Sequence, residues 1–105
     1  MTKQGYKIRD VQVVARGSDV QVRVLTLAPE GLIPWHYHSE SNDHYYVLEG
    51  TLSIETREPD ENLSLGVGKS HIVAPGTKHC VSNRGRSDTR FLIIQGVGKY
   101  DWLKA

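Results

Sequence analysis

Apolar and polar residues alternate along most of this chain. Within residues 7–15, Ile8 alternates with Arg9 and Val11 with Gln12; further on, Val20, Val22 and Val24 alternate with Asp19, Gln21 and Arg23. A period of two puts successive side chains on opposite faces of an extended strand, whereas a helix needs apolar residues three and four apart. Past Val24 the apolar parity changes, with Leu25 and Leu27 flanking Thr26. That change predicts a bend or bulge at this point, of the kind that carries a strand round a barrel corner. Further runs cover 32–38, 43–49, 51–56, 70–74, 78–82 and 90–97. They are separated by Ala28-Pro29-Glu30-Gly31, Glu58-Pro59-Asp60-Glu61-Asn62, Gly66-Val67-Gly68, Pro75-Gly76 and 83–88. Glycine supplies positive φ, proline a preset φ, and Asn and Asp local backbone bonds, so these are turns. Glu49-Gly50-Thr51, between Tyr46-Val47-Leu48 and Leu52-Ser53-Ile54, reads as a hairpin turn. No window carries a sustained helical stripe with a cap at each end. Seven to ten short strands at this spacing predict an all-β sandwich or barrel. The tail at 98–103, with Tyr100 and Trp102, is expected to dock on it.

At 105 residues the chain is expected to form one domain, 1–105, large enough for one core. A net charge of +1, from 13 basic and 12 acidic residues that are scattered, argues against a nucleic-acid partner. The one basic cluster, Arg84, Arg86 and Arg90, reads as a solvated turn. No run approaches the ~20 apolar residues that cross a bilayer, and Met1 to Gly5 lack the apolar stretch of a secretory leader. The expectation is a cytoplasmic protein with no membrane partner, in which the sequon Asn62-Leu63-Ser64 goes unused. Cys80 is the single cysteine, so no internal disulfide staples the fold. Because it directly follows His79 on a strand, it faces away from it and reads as a small buried hydrophobe.

All five histidines fall in two stretches: His36, His38 and His44, then His71 and His79. His36 and His38, two apart on a strand, project from one face, where two imidazoles can converge on one ion. Trp35 and Tyr37 then lie on the other face. His71 reads as a half-buried residue of the wall.

The order of residues around these histidines resembles the cupin superfamily. Its first motif is a glycine, a His-x-His pair, a glutamate and a glycine, matched here by Gly31, His36, His38, Asp43 and Gly50. Its second is Gly, Pro-x-Gly, His and Asn, matched by Gly68, Pro75-Gly76, His79 and Asn83. The motifs span residues 31–83. Three departures stand out: Gly31 is one residue nearer His36 than usual, Pro75 directly precedes Gly76, and aspartate replaces the glutamate. The resemblance implies a double-stranded β-helix, or jelly-roll barrel, with His36, His38 and His79 holding one divalent metal ion in its mouth. The fourth position falls to Asp43 by its spacing from Gly50, with His44 as its rival. Neighbours on a strand point oppositely, so only one of the two faces inward: Asp43 with Tyr45 and Val47, or His44 with Tyr46 and Leu48. Water completing a three-histidine site is the remaining alternative.

Imidazoles with one carboxylate suit Fe, Mn, Zn, Ni or Cu, whereas Mg²⁺ and Ca²⁺ want oxygen ligands. What the resemblance implies for function is a metal-dependent enzyme acting on a small oxygenated metabolite, by dioxygenase or by sugar-type isomerase or lyase chemistry. Small single-domain cupins of this size are similar to the group labelled mannose-6-phosphate isomerase-like. Tyr45, Tyr46, His71 and Glu49 are candidate acids or bases. A non-catalytic module that binds or senses a sugar or small molecule is the alternative. Barrels of this family commonly pair, and Trp35, Tyr37 and Trp102 offer aromatic area for a homodimer interface.

Overall fold

A computed structural model describes residues 6–105; Met1 to Gly5, read above as lacking a leader, lie outside the described residues. The described residues form nine strands and no helix: β1 (Tyr6–Arg16), β2 (Val20–Tyr37), β3 (Asn42–Glu49), β4 (Leu52–Thr56), β5 (Glu61–Leu65), β6 (Ser70–Val73), β7 (His79–Ser82), β8 (Thr89–Gly96) and β9 (Leu103–Lys104). There is accordingly no helix among them long and apolar enough to cross a membrane. Every pairing is antiparallel. The strands run in the order β5-β4-β7-β2-β8-β3-β6, with β1 and β9 also on β2, and roll into a nearly closed barrel, a double-stranded β-helix.

β2 makes the barrel possible because both of its halves find partners. Residues 20–27 pair with β8, and from Leu32 onward the strand pairs with β7. The stretch Ala28-Pro29-Glu30-Gly31, expected as a turn, is instead the bend at which this one strand passes between the two. Glu30 takes a positive φ of 68° there. Its N–H donates to the Asn83 carbonyl and the Asn83 N–H donates to the Gly31 carbonyl, both at 3.0 Å. Backbone groups freed by the change of partner are thus satisfied locally.

Two further expectations are corrected. The β2–β8 register runs from Val20 opposite Gly96 to Leu27 opposite Thr89 without a shift, so no bulge sits at Val24. Val20, Val22 and Val24 face outward throughout, while Gln21, Arg23, Leu25 and Leu27 face the interior. The parity shift comes later, between Ile33 and His36. Nor is Glu49-Gly50-Thr51 a hairpin turn: β3 pairs with β6 and β8, and β4 with β5 and β7, so Gly50 carries the chain between two strands that do not pair with each other. Gly50 has φ of 77°, and a Cβ there would lie 2.7 Å from the Asp88 carbonyl oxygen. Gly50→Ala therefore meets both the left-handed penalty and a backbone clash. It is expected to destabilise the protein by at least about 2 kcal/mol, read by denaturant unfolding; a loss under about 0.5 kcal/mol would contradict this account of the crossing.

One end of the barrel is filled by apolar side chains. Leu27, Leu52, Ile54, Val81 and Phe91 are fully buried, joined by Leu25, Tyr45, Val47, Val73 and Ile93. The residues that alternate with them along the strands are mostly half-buried or exposed, the signature of a sheet with one packed face. At the other end polar residues replace them, and the barrel opens.

Candidate metal centre

Four polar side chains meet at the base of the open end: His36 from β2, His38 just beyond it, Asp43 from β3 and His79 from β7. All four are about 1–2% exposed. Their ligating atoms all lie within 4.8 Å of one another. The ring centroids are 4.1 Å apart for His36 and His79, 4.9 Å for His36 and His38, and 5.5 Å for His38 and His79. His36 and His79 are directly opposite on paired strands. The Gly76 N–H donates to the His38 carbonyl at 2.7 Å, so the Pro75-Gly76 turn leading to His79 also fixes the chain at His38.

Each imidazole is oriented by a backbone carbonyl. Nδ1 of His36 donates to Pro34 at 2.7 Å, Nδ1 of His79 to Thr77 at 2.8 Å, and Nδ1 of His38 to Asp101. A carbonyl oxygen only accepts, so the proton stays on Nδ1 and leaves each Nε2 a lone pair turned inward. The carboxylate completes the ring. Asp43 Oδ2 lies 3.1 Å from His38 Nε2 and 3.0 Å from His79 Nε2, and it accepts from the Tyr45 hydroxyl at 2.9 Å. Its Oδ1 accepts from Gln95 Nε2 at 3.1 Å. Lone pairs on Nε2 and a carboxylate oxygen repel unless a cation lies among them. This arrangement is stable only around a proton or a metal ion, and carbonyl-oriented imidazoles with a hydrogen-bonded carboxylate are what metal ligands require. Bonds of ~2.1 Å around one ion put ligating atoms about 3–4 Å apart, a small contraction from the observed spread. The residues fit a metal ion.

The titration of the cluster shows the same competition. Burial, with His79 and His38 close by, pushes His36 down to about 3. Burial acts against charged His38 as well, but its hydrogen bond to Asp43 and the charges of Asp43 and Asp101 outweigh it and raise that group. Burial would raise Asp43; hydrogen bonds and charge from His38 and His79 reverse this and hold it well below the usual carboxylate range. In the unfolded chain His36 takes up its proton near 6.5, in the folded protein only near 3. Between those values the unfolded chain binds more protons, so acidification favours unfolding. His38 contributes with the opposite sign above 6.5, where its raised folded value retains a proton the unfolded chain has lost. Metal-free protein is therefore expected to be most stable near pH 6.5 and to lose melting temperature steadily from there to pH 4. The slope should flatten in His36→Gln; a flat profile in the parent protein would contradict it.

The structure places Asp43 inside with Tyr45 and Val47, and His44 outside and half-buried. His71 is half-buried. Tyr46 is exposed on the outer face and Glu49 is exposed, so neither serves the cavity as acid or base. Cys80 is buried on the opposite side of β7 from His79, and burial, with Glu55 nearby, pushes its thiol up to about 11, which suits a packing residue. The tail docks as expected. Trp102 stacks its ring on His36 with centroids 4.9 Å apart. Trp35, on the outside, is covered instead by the Arg57 guanidinium, 3.9 Å from its ring centre.

Above the four residues lies a cavity of about 550 Å³, walled by Leu25, Ile33, Ile93, Tyr45, Tyr100 and Trp102 and open between β1 residues Ile8 to Val11. Arg23 and Gln95 also face it. Gln95, Tyr100 and Arg23 were not singled out from the sequence. Counting parity back from Leu25 would have turned Arg23 inward, had the valines not claimed that face.

Comparison with known proteins gives concordant results. A family model described as "Cupin domain" matches residues 23–95. A conserved protein with a double-stranded beta-helix domain from Klebsiella pneumoniae is 24% identical, over 89% of this chain and 81% of that one, with a TM-score of 0.77. KdgF from Halomonas sp. is 16% identical over 93% and 87%, with a TM-score of 0.79. The polyketide cyclase RemF from Streptomyces resistomycificus is 17% identical over 97% and 73%, with a TM-score of 0.82. Among curated proteins none matches.

Proposed function

The chain belongs to the cupin family, whose domain model covers most of it, and from that premise we propose that it is a metal-dependent enzyme acting on a small oxygenated metabolite. The observation that carries this reading is the convergence of three carbonyl-oriented imidazoles and one buried carboxylate beside a cavity of about 550 Å³ that His36 and Asp43 line. In it, His36, His38, Asp43 and His79 hold one divalent ion of Fe, Mn, Zn, Ni or Cu. Such an ion, when bound, supplies Lewis acidity toward a ligand oxygen and leaves coordination positions open on the cavity side.

The chain's own residues do the rest. Leu25, Ile33 and Ile93 exclude water from one wall, which strengthens every charge interaction inside. Gln95 and Tyr45 fix both oxygens of Asp43, so that the carboxylate cannot rotate as a substrate enters. Tyr45 is itself no base: burial, Asp43's charge and its bond to Asp43 hold its hydroxyl far above the usual phenol range. A cavity of this size, with an apolar wall and polar groups that converge on it, is of the kind that holds small molecules. The shared fold with a polyketide cyclase indicates that such a barrel is compatible with catalysis.

The test is elemental analysis of protein purified without chelators or affinity metal, followed by assays with candidate metabolites. One equivalent of a transition ion with turnover that dialysis against a chelator abolishes is the expected result. Stoichiometric metal and tight ligand binding without turnover would instead favour a metal-dependent binding module. Absence of any stoichiometric transition ion would reject the reading.

A further inference from the structure

One charged side chain in the cavity is left without a countercharge. Arg23 enters from β2, and its Nη2 donates to the Oε1 of Gln95, which also accepts from Gln21 Nε2 at 3.0 Å. Gln95 is neutral. The other arginine that lines the cavity, Arg9, is paired with Asp88 at 2.9 Å, and Arg84, elsewhere, pairs with Glu55. Among the described residues no carboxylate forms an ion pair with Arg23. Its Nε is buried and has no hydrogen-bond partner at all. A buried donor on a charged group is costly to leave idle, and in a folded protein it calls for a specific explanation.

Asp43 does not supply the missing charge. Both of its oxygens are engaged, Oδ1 by Gln95 and Oδ2 by His38, His79 and Tyr45, and Gln95 stands between it and Arg23. With a divalent ion at the centre, Asp43 offsets one of its two charges, and Arg23 adds another on the same cavity wall. Asp10 borders the mouth but is exposed to solvent. With such an ion bound, the cavity would carry positive charge at its metal end and at Arg23, while Leu25, Ile33, Ile93 and Trp102 give it an apolar wall.

We propose that Arg23 is the anchor for the ligand of this cavity, and that the ligand is a small carboxylic acid with an apolar or aromatic body. Its carboxylate pairs with the Arg23 guanidinium, its body lies along the apolar wall, and a second oxygen is left facing the side of His36 and Asp43. A guanidinium matches a carboxylate with parallel hydrogen bonds. A phosphate, with up to two charges and more acceptors, would want more donors than Arg23 alone offers, since Arg9, the other arginine lining the cavity, is engaged by Asp88. The assignment rests on the reading of the cavity as the substrate site of a metal centre, and it replaces sugar-type ligands with acids.

Calorimetric titration with matched pairs tests it: propionate and propionamide, benzoate and benzamide, phenylacetate and phenylacetamide, with phenyl phosphate alongside. Each pair differs in charge and hardly in shape. At least one carboxylate is expected to bind at least tenfold tighter than its amide, in protein as purified and after dialysis against a chelator. Arg23→Gln should abolish that preference and Arg23→Lys retain part of it, with metal content unchanged in both by elemental analysis. No preference for any carboxylate, an undiminished preference in folded Arg23→Gln, or tighter binding of phenyl phosphate than of phenylacetate overturns the proposal. The two readings fail separately. Protein without stoichiometric metal that still prefers carboxylates rejects only the metal, and metal-replete protein blind to charge rejects only the anchor.

Discussion

Alanine at His79 is expected to empty the site, lowering metal affinity by at least about a hundredfold and abolishing the share of thermal stability that depends on metal. Groups that merely orient a ligand typically cost 10–100-fold when removed, and this substitution removes a ligating atom itself. His79 also stands directly opposite His36 on the paired strand, with ring centroids 4.1 Å apart, so no neighbouring side chain replaces it. The effect on stability follows from mass action: an ion at a hundred times its Kd stabilises the native state by about 2.7 kcal/mol. In a domain of this size that corresponds to about 10–20 °C of melting temperature. The parent protein should lose this increment on dialysis against a chelator, whereas His79→Ala should start without it and lose nothing more. His36→Ala should behave alike. Cys80→Ser, one residue along and facing away, should keep its metal. Full occupancy by elemental analysis in both histidine variants would remove the basis for the metal centre.

Much of this was legible because alternation reports which face a residue occupies. His36 and His38 share a face by arithmetic, and Asp43, Tyr45 and Val47 share one by the same rule, so choosing Asp43 over His44 fixed a whole strand. The distant partner, His79, could not come from periodicity; it came from the spacing of the Pro75-Gly76 turn and Asn83 in a resembling family. What escaped the sequence has two causes. The first is long-range pairing. Gly50 looks like a hairpin glycine because its flanks are strand-like, yet the barrel gives those flanks different partner strands, and nothing local records it. The second is that apolar residues on an outer sheet face mimic core. Val20, Val22 and Val24 are half-buried or nearly buried beside their outward neighbours on β8. Their alternation with Gln21 and Arg23 gives no sign that the polar set faces inward and that Arg23 lines the cavity. Polar residues inside a barrel violate the pattern where a ligand or ion will satisfy them, so the pattern fails at the functional end and succeeds at the packed one. Trp102 was legible only as an aromatic of a docking tail; the stack on His36 that makes it part of the cavity wall is a long-range contact that no local pattern records.

Replacing Asp43 should reveal how the site is held before any ion arrives. In the metal-free protein this carboxylate accepts from Tyr45 and Gln95 and lies within hydrogen-bond distance of Nε2 of His38 and His79, all in a region about 1–3% exposed. Asp43→Ala leaves the Tyr45 hydroxyl and the Gln95 amide buried without their acceptor, and each such loss costs about 1–3 kcal/mol. A destabilisation of about 3 kcal/mol in the metal-free state is expected, about 12–24 °C in melting temperature. Asp43→Asn should cost less, since its amide oxygen still accepts from Tyr45 and its NH₂ can donate to a neutral Nε2, although both variants lose metal. The pH dependence separates charge from packing. Asp43's depressed value means that its contribution is present above the ordinary carboxylate range, near 3.8, and is lost as pH falls below it. The gap between Asp43→Ala and parent protein, measured by denaturant unfolding in chelator, should accordingly be wide at pH 6 and narrow toward pH 3. A gap independent of pH would mean that Asp43 acts through its shape alone. No gap at all would mean that the four-residue cluster contributes nothing until an ion binds, and the hydrogen bonds drawn here would then have no energetic weight.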